Sequence, residues 1–303
     1  MKVYNPISID GHAIAFSDEA EHVGIIRSSK KGNLPHILKR ISSHRRAMWA
    51  TLSSGTAQKS RANPIVSMRL EKLYGSPVLF SGVSALYLLG SEISMLDKYV
   101  KSTYQNIQKL PPDTPRAVVH FLSGSLPGEA VIHLRMIGMF GMVARLTADP
   151  LRVHARNVLI SAKSSSKSWF TQIRDICLKY DLPHPLTILE NQPEKEAFKK
   201  LTFAQVISYW EKRLRGEASL LSSLVHSKPE FMSLVKPHPL WLTAESNPYE
   251  ISKAIQQARF LSGRYRTEAL TKHWSANKSG YCQFSTGDSV VETVEHVLIH
   301  CRA

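Results

Sequence analysis

Asn33-Leu34-Pro35-His36-Ile37-Leu38-Lys39-Arg40-Ile41-Ser42-Ser43-His44-Arg45-Arg46-Ala47-Met48-Trp49-Ala50-Thr51-Leu52-Ser53-Ser54-Gly55 is the stretch that decides the fold class. Asn33 and Pro35 form a helix start, and Gly55 is a helix stop. Between them Leu34, Ile37, Leu38, Ile41, Met48 and Leu52 recur at three- and four-residue steps, the period of one apolar helical stripe. His36, Lys39, Arg40 and Arg46 fall on the other side. One face is therefore expected to pack and the other to be basic. Arg45 lands inside the apolar stripe, so either the phase of the stripe is off there or Arg45 needs a carboxylate or ligand partner.

The same helix sits in the densest charge of the chain. From Arg27 to Lys72 there are eleven Lys or Arg and a single acid, Glu71, a surplus of +10 within a chain of net charge +15. A surplus so concentrated is the electrostatic footprint of a polyanion partner, and nucleic acid is the default one. Lys30, Lys31, Lys39, Arg40, Arg46, Lys59 and Arg61 are the candidate phosphate contacts. The plainer reading is a solvated basic face on an ordinary helix.

Outward from this helix, the first 27 residues read as strands. Ile7-Ser8-Ile9, Asp10-Gly11 and His12 to Phe16 form a two-residue hairpin pattern, and Val23 to Arg27 is a third short strand. Downstream the pattern is helical. Asn63-Pro64 opens a helix stopped by Gly75, and Pro77 opens one to Leu89. Further helices are expected over Ser91–Leu110, Pro115–Leu122, Glu129–Leu146 and Asp149–Ser161. Ala162 to Ser168 has the composition of a linker and marks a subdomain boundary. Helices resume over Trp169–Tyr180, Glu194–Arg215, Pro229–Leu234 and Asn247–Ser262, the last continuing to about Trp274. The fold class is mainly α.

With 303 residues and 43% hydrophobic content the chain can bury a full core. Three scattered cysteines (Cys177, Cys282, Cys301) make no disulfide framework, so an intracellular, reducing compartment is expected, nucleus or cytoplasm. The N-terminus has no apolar leader. Val78 to Leu89 is too short to span a bilayer, and Val131 to Leu146 is broken by His133, Arg135 and Arg145, so no membrane role is expected.

Motifs that carry chemistry are few. Asp18-Glu19 follows a hairpin, but no upstream strand supplies the second carboxylate that two-metal phosphoryl transfer needs, so it reads as a turn or a helix start. Gly124 to Gly128 lacks the Gly-Lys-Ser/Thr of a phosphate loop and reads as a turn. Cys177, between Ile176 and Leu178, is a core residue. Near the C-terminus, Cys282, His296 and Cys301 have the residue types and the His-x4-Cys spacing of half a zinc knuckle. The other half would need a cysteine where Ser285 stands, and His300 competes with its neighbour Cys301. Zinc is therefore expected to be held weakly or not at all. The bland alternative is a helix with two histidines on one face. Before this unit, Arg259, Arg264, Arg266, Lys272 and Lys278 are interleaved with Tyr265, His273, Trp274 and Tyr281. That composition suits single-stranded backbone and stacked bases, or an ordinary part-buried aromatic cluster.

Taken together, Ile9 to Ile26 resembles the end of the polymerase domain of non-LTR (LINE-type) retrotransposon reverse transcriptases. His22-Val23-Gly24-Ile25 stands where that family has its primer-grip strand. The helical run Pro64 to Gly128 looks like the thumb that follows it. Ser262 to Glu268 and Val294 to Cys301 resemble the C-terminal knuckle region of the same polyproteins.

The resemblance implies a helical thumb-like bundle with a short β remnant before it and a small knuckle-like unit after it. The expected units are 1–27 (β remnant of a palm), 28–161 (basic helical domain), 162–168 (linker), 169–275 (second helical subdomain) and 276–303 (knuckle-like unit). It implies RNA, an RNA–DNA duplex or target DNA as partners, and an N-terminal polymerase segment of the same polyprotein. Magnesium would serve only that full-length parent, an RNA-directed DNA polymerase. The palm aspartates have no counterpart here, so the chain is expected to be a C-terminal fragment, inactive as a polymerase by itself. The rival class is a domesticated helical adaptor that binds protein partners.

Overall fold

The computed structural model describes residues 8–9, 12–13, 17–51, 63–147, 149–163, 166–221, 233–242, 247–265, 267, 269, 272, 279–284 and 290–301. It is mainly α-helical, as expected. Two short antiparallel hairpins come first. β1 (Ser8–Ile9) pairs with β2 (His12–Ala13), with Ile9 opposite His12, which is the two-residue connection expected at Asp10-Gly11. β3 (Glu19–His22) pairs with β4 (Ile25–Ser28) in the register Glu19–Ser28 to His22–Ile25.

The second hairpin corrects the sequence reading. Asp18-Glu19 leads into a strand, not into a turn or a helix. Val23 and Gly24 form the turn, with φ of 49° and 73°. Positive φ at both central residues gives the twist that a two-residue hairpin needs. The strand expected from Val23 therefore starts at Ile25.

The helix α1 (Leu34–Thr51) begins where expected; the Gly55 stop lies outside the described residues. Its phase differs from the apolar count. Ile37, Ile41 and Met48 are buried, but so are His36 and His44, while Leu38 is 51% exposed. His36 lies inside because its ring is satisfied there. Nδ1 accepts from the Ile26 amide (3.4 Å), which leaves Nε2–H to donate to the Ser81 carbonyl (3.2 Å). Burial, and then the charge of Arg40, lower its pKa, so the neutral ring that fits this pairing is favoured. Arg45 needs no carboxylate: its guanidinium lies over the Tyr99 ring, 5.5 Å from the centroid.

After α2 (Pro64–Leu70), capped by Asn63, the helix does not stop at Gly75. It widens into a π-helical segment, Glu71–Gly75, and runs on as α3 (Ser76–Leu79). Gly75 is where the helix meets α1: a Cβ there would come within 2.8 Å of His44 Nε2 and Met48 Sδ. Of the helix expected over Pro77–Leu89 only Pro77 to Leu79 is α-helical, within α3; a left-handed turn at Gly82, a 3-10 turn at Val83–Ala85 and extended chain follow.

Most later helices fall where the caps put them. They are α4 (Gly90–Ile107), α5 (Arg116–Ser123), α6 (Gly128–Ala144), α7 (Pro150–Ser161), α8 (Trp169–Lys179), α10 (Lys195–Ser219) and α12 (Pro248–Leu261). Short α9 (Pro185–Asn191) and α11 (Pro239–Leu242) add to them. α12 ends at Leu261 and Gly263 to Tyr265 are not helical; most of the expected continuation towards Trp274 lies outside the described residues. The core is built on α6, which buries Ala130, Ile132, Met136, Ile137, Phe140 and Val143 and packs against α4, α7, α8, α9 and α10. α10 contributes Phe198, Thr202, Val206, Trp210, Leu214 and Ala218, one every four residues.

The core takes side chains from the helices on both sides of the expected linker. Gln172 bonds the Leu88 backbone in both directions (3.0 and 2.8 Å), and Trp169 Nε1 donates to the Ser84 carbonyl. Among the described residues no helix is long and apolar enough to cross a membrane.

Candidate metal centre and basic face

The C-terminal unit is a narrow ribbon followed by a short helix. Tyr281 pairs with Val291, Cys282 N–H donates to the Val290 carbonyl (2.9 Å) and Glu292 N–H to the Gly280 carbonyl (3.0 Å). Thr293 Oγ1 accepts from the His296 amide (3.0 Å), and the chain turns through His296–His300 to Cys301, whose amide donates to the His296 carbonyl (2.7 Å). This brings Cys282, His296 and Cys301 together. One ligand atom from each lies within 4.8 Å of the others, and the two Sγ atoms are 3.7 Å apart. Cys282 and His296 are buried and Cys301 is half-buried. Two thiols and an imidazole so placed could hold a metal ion. Among the described residues this is the one group of three or more His, Cys, Asp or Glu side chains close enough to share an ion. His300 is exposed and outside the group, and Ser285 lies outside the described residues.

Three of the expected phosphate contacts pair with acids of their own chain. Lys30 pairs with Asp18 (2.6 Å), Lys31 with Glu19 (3.8 Å) and Lys39 with Glu21 (2.8 Å). The bonds from Lys30 and Lys39 hold the Asp18 and Glu21 carboxyls below their ordinary range. Arg40 Nη2 donates to the Gly24 carbonyl (2.5 Å) and fastens the β3–β4 turn to α1. Arg264 pairs with Asp113 (3.3 Å), and Lys272 is exposed. Lys59, Arg61 and Arg266 lie outside the described residues. Arg46 is exposed and bonds Ser43 Oγ (3.3 Å). Asp18, Glu19 and Glu21 stand just before the basic stretch, and the hairpin register lays them beside the lysines. His22, Val23, Gly24 and Ile25 cap the hairpin, with Val23 85% exposed.

Two features escaped the sequence reading. One is a buried polar network beneath the π-helical segment. Glu71 accepts from the Tyr104 hydroxyl, and His44 pairs with Tyr99 (2.8 Å) and faces Glu71 at 3.8 Å. Burial, then the Glu71 charge, pushes the Tyr104 hydroxyl well above its ordinary pKa. Glu71, Lys72 and Tyr104 also line a cleft of about 230 Å³ with Phe80, Leu126 and Leu234. The other is the outer stripe of α1, where Trp49 is 75% exposed. Only the three-dimensional phase of α1 separates that tryptophan from the core.

Comparison with protein-family models, with curated proteins and with solved structures finds no match.

Proposed function

We propose that this chain is a nucleic-acid-binding helical module with a zinc-holding C-terminal unit, of the kind that follows the polymerase in non-LTR retrotransposon reverse transcriptases. Its partners are RNA, an RNA–DNA duplex or target DNA. The observation that carries the reading is the Cys282, His296 and Cys301 group, formed by the segment that resembles a knuckle. The 3.7 Å between its thiols is close to the edge of a zinc tetrahedron, about 3.8 Å for Zn–S bonds of about 2.3 Å. Zinc there would be structural, tying the 281–291 ribbon to the helix that follows. The net charge of +15 supports a polyanion partner.

Cobalt(II) titration tests the reading. The metal should saturate near one per chain, give thiolate charge-transfer absorption and be displaced by zinc. Three protein ligands hold an ion less firmly than four, so zinc surviving purification should fall below one per chain. The absorption should be lost in His296→Ala. Cobalt spectra unchanged by that substitution would sink the proposed site. The helical-adaptor reading draws on a separate observation: Lys30, Lys31 and Lys39 are paired with acids of their own chain.

A further inference from the structure

We infer that the outer stripe of α1, centred on Trp49, is a stacking surface for the bases of single-stranded nucleic acid. This rests on the nucleic-acid reading above and deepens it. Leu38, Ser42, Arg45 and Trp49 are all exposed and follow one another at three- and four-residue steps, so they share one face, and exposed Arg46 flanks it, three residues before Trp49. The opposite face, Ile37, Ile41, His44 and Met48, is buried. Trp210 and Trp241 are fully buried, whereas Trp49 is 75% exposed.

The residues around Trp49 fit an anionic, aromatic ligand. Arg45 and Arg46 stand one turn before it, and α1 contains no acid. Arg45 is held in place by the Tyr99 ring. The π-helical segment packs on the same half of α1 through Gly75 and leaves Leu73 (67%) and Tyr74 (56%) exposed. An indole flanked by guanidinium groups is the composition that takes an unstacked base on the ring and its phosphate on the arginines. A duplex keeps its bases stacked on one another and has none to offer the ring. Asp18 and the β3 acids Glu19 and Glu21 engage Lys30, Lys31 and Lys39, and no ion pair with them is made by Arg45 or Arg46. The charge that selects nucleic acid is thus carried by the last turns of α1.

The test uses the full chain and fluorescence anisotropy with a labelled twenty-nucleotide uridine strand and a duplex of equal length. Trp49→Ala should weaken single-strand binding about ten-fold, the typical loss of one base stack, and leave duplex binding within about two-fold. Trp49→Phe, which keeps a ring, should restore most of the loss. Because Trp49 is exposed, the circular dichroism of both variants should match the wild type. Single-strand binding unchanged in Trp49→Ala overturns the inference alone and leaves the stripe to a protein partner. Equal losses on single strand and duplex also overturn it. A wild-type chain that binds neither probe overturns the nucleic-acid reading and this inference with it.

Discussion

His133 shows how one buried polar side chain writes a pH dependence into the fold. Trp210 Nε1 donates to the Tyr180 hydroxyl oxygen (3.0 Å), and that hydroxyl has its one proton left for His133 Nδ1 (2.8 Å). With Nδ1 accepting that proton, the ring is neutral. Burial agrees with this, lowering the His133 pKa to about 4 and that of His120 to about 3. A histidine with a depressed folded pKa contributes stability that is present above the unfolded value of about 6.5 and is lost as pH falls towards the folded value. For His133 the shift is worth about 3 kcal/mol. The urea midpoint should therefore fall between pH 7 and pH 4.5, and His133→Gln should show a smaller fall. An identical fall in the variant would remove His133 from the account. Val23 makes a second residue-scale case. A β-branched side chain at φ 49° is strained, while asparagine tolerates that region. Val23→Asn should raise stability by about 1 kcal/mol, read as a higher thermal midpoint. No change, or a loss, would count against the hairpin turn.

At the scale of elements, legibility followed the cap chemistry. Asn63-Pro64, Asp149-Pro150 and Asn247-Pro248 each start a helix, and each Asn or Asp side chain accepts from the amide two residues on. That signal is local, so it survives in the sequence. Gly75 and Gly124 carry the same local signal but differ in cause. Gly124 ends α5 in a left-handed turn, with φ of 57°, and its Cβ position lies 2.2 Å from the Lys236 carbonyl carbon. Gly75 ends nothing; it lets α1 come close. Only the packing distinguishes them. The site followed the same division. The knuckle spacing was legible because its ligands are near in sequence. The neutralised lysines were not, because their acids sit across a hairpin whose turn, Val23-Gly24, breaks the usual rule for turn residues. Gly124→Ala should cost at least about 2 kcal/mol, from a strained φ and overpacking against the 236–237 backbone. Urea denaturation reads this directly. A variant as stable as the wild type would mean that the 233–242 segment does not lie against α5.

For the whole molecule, charge and packing divide the basic surface into two parts. Near the hairpin, Lys30, Lys31 and Lys39 face acids in exposed pairs, which do little for stability. Arg45 and Arg46, on the C-terminal turns of α1, make no ion pair with those acids. The most direct test of the central claim is the salt dependence of RNA binding by the wild-type chain. Log affinity should fall linearly with log salt, each phosphate contact contributing about 0.7 to 0.9 to the slope, for a total of two units or more. No binding at low salt, or an affinity indifferent to salt, would contradict the account.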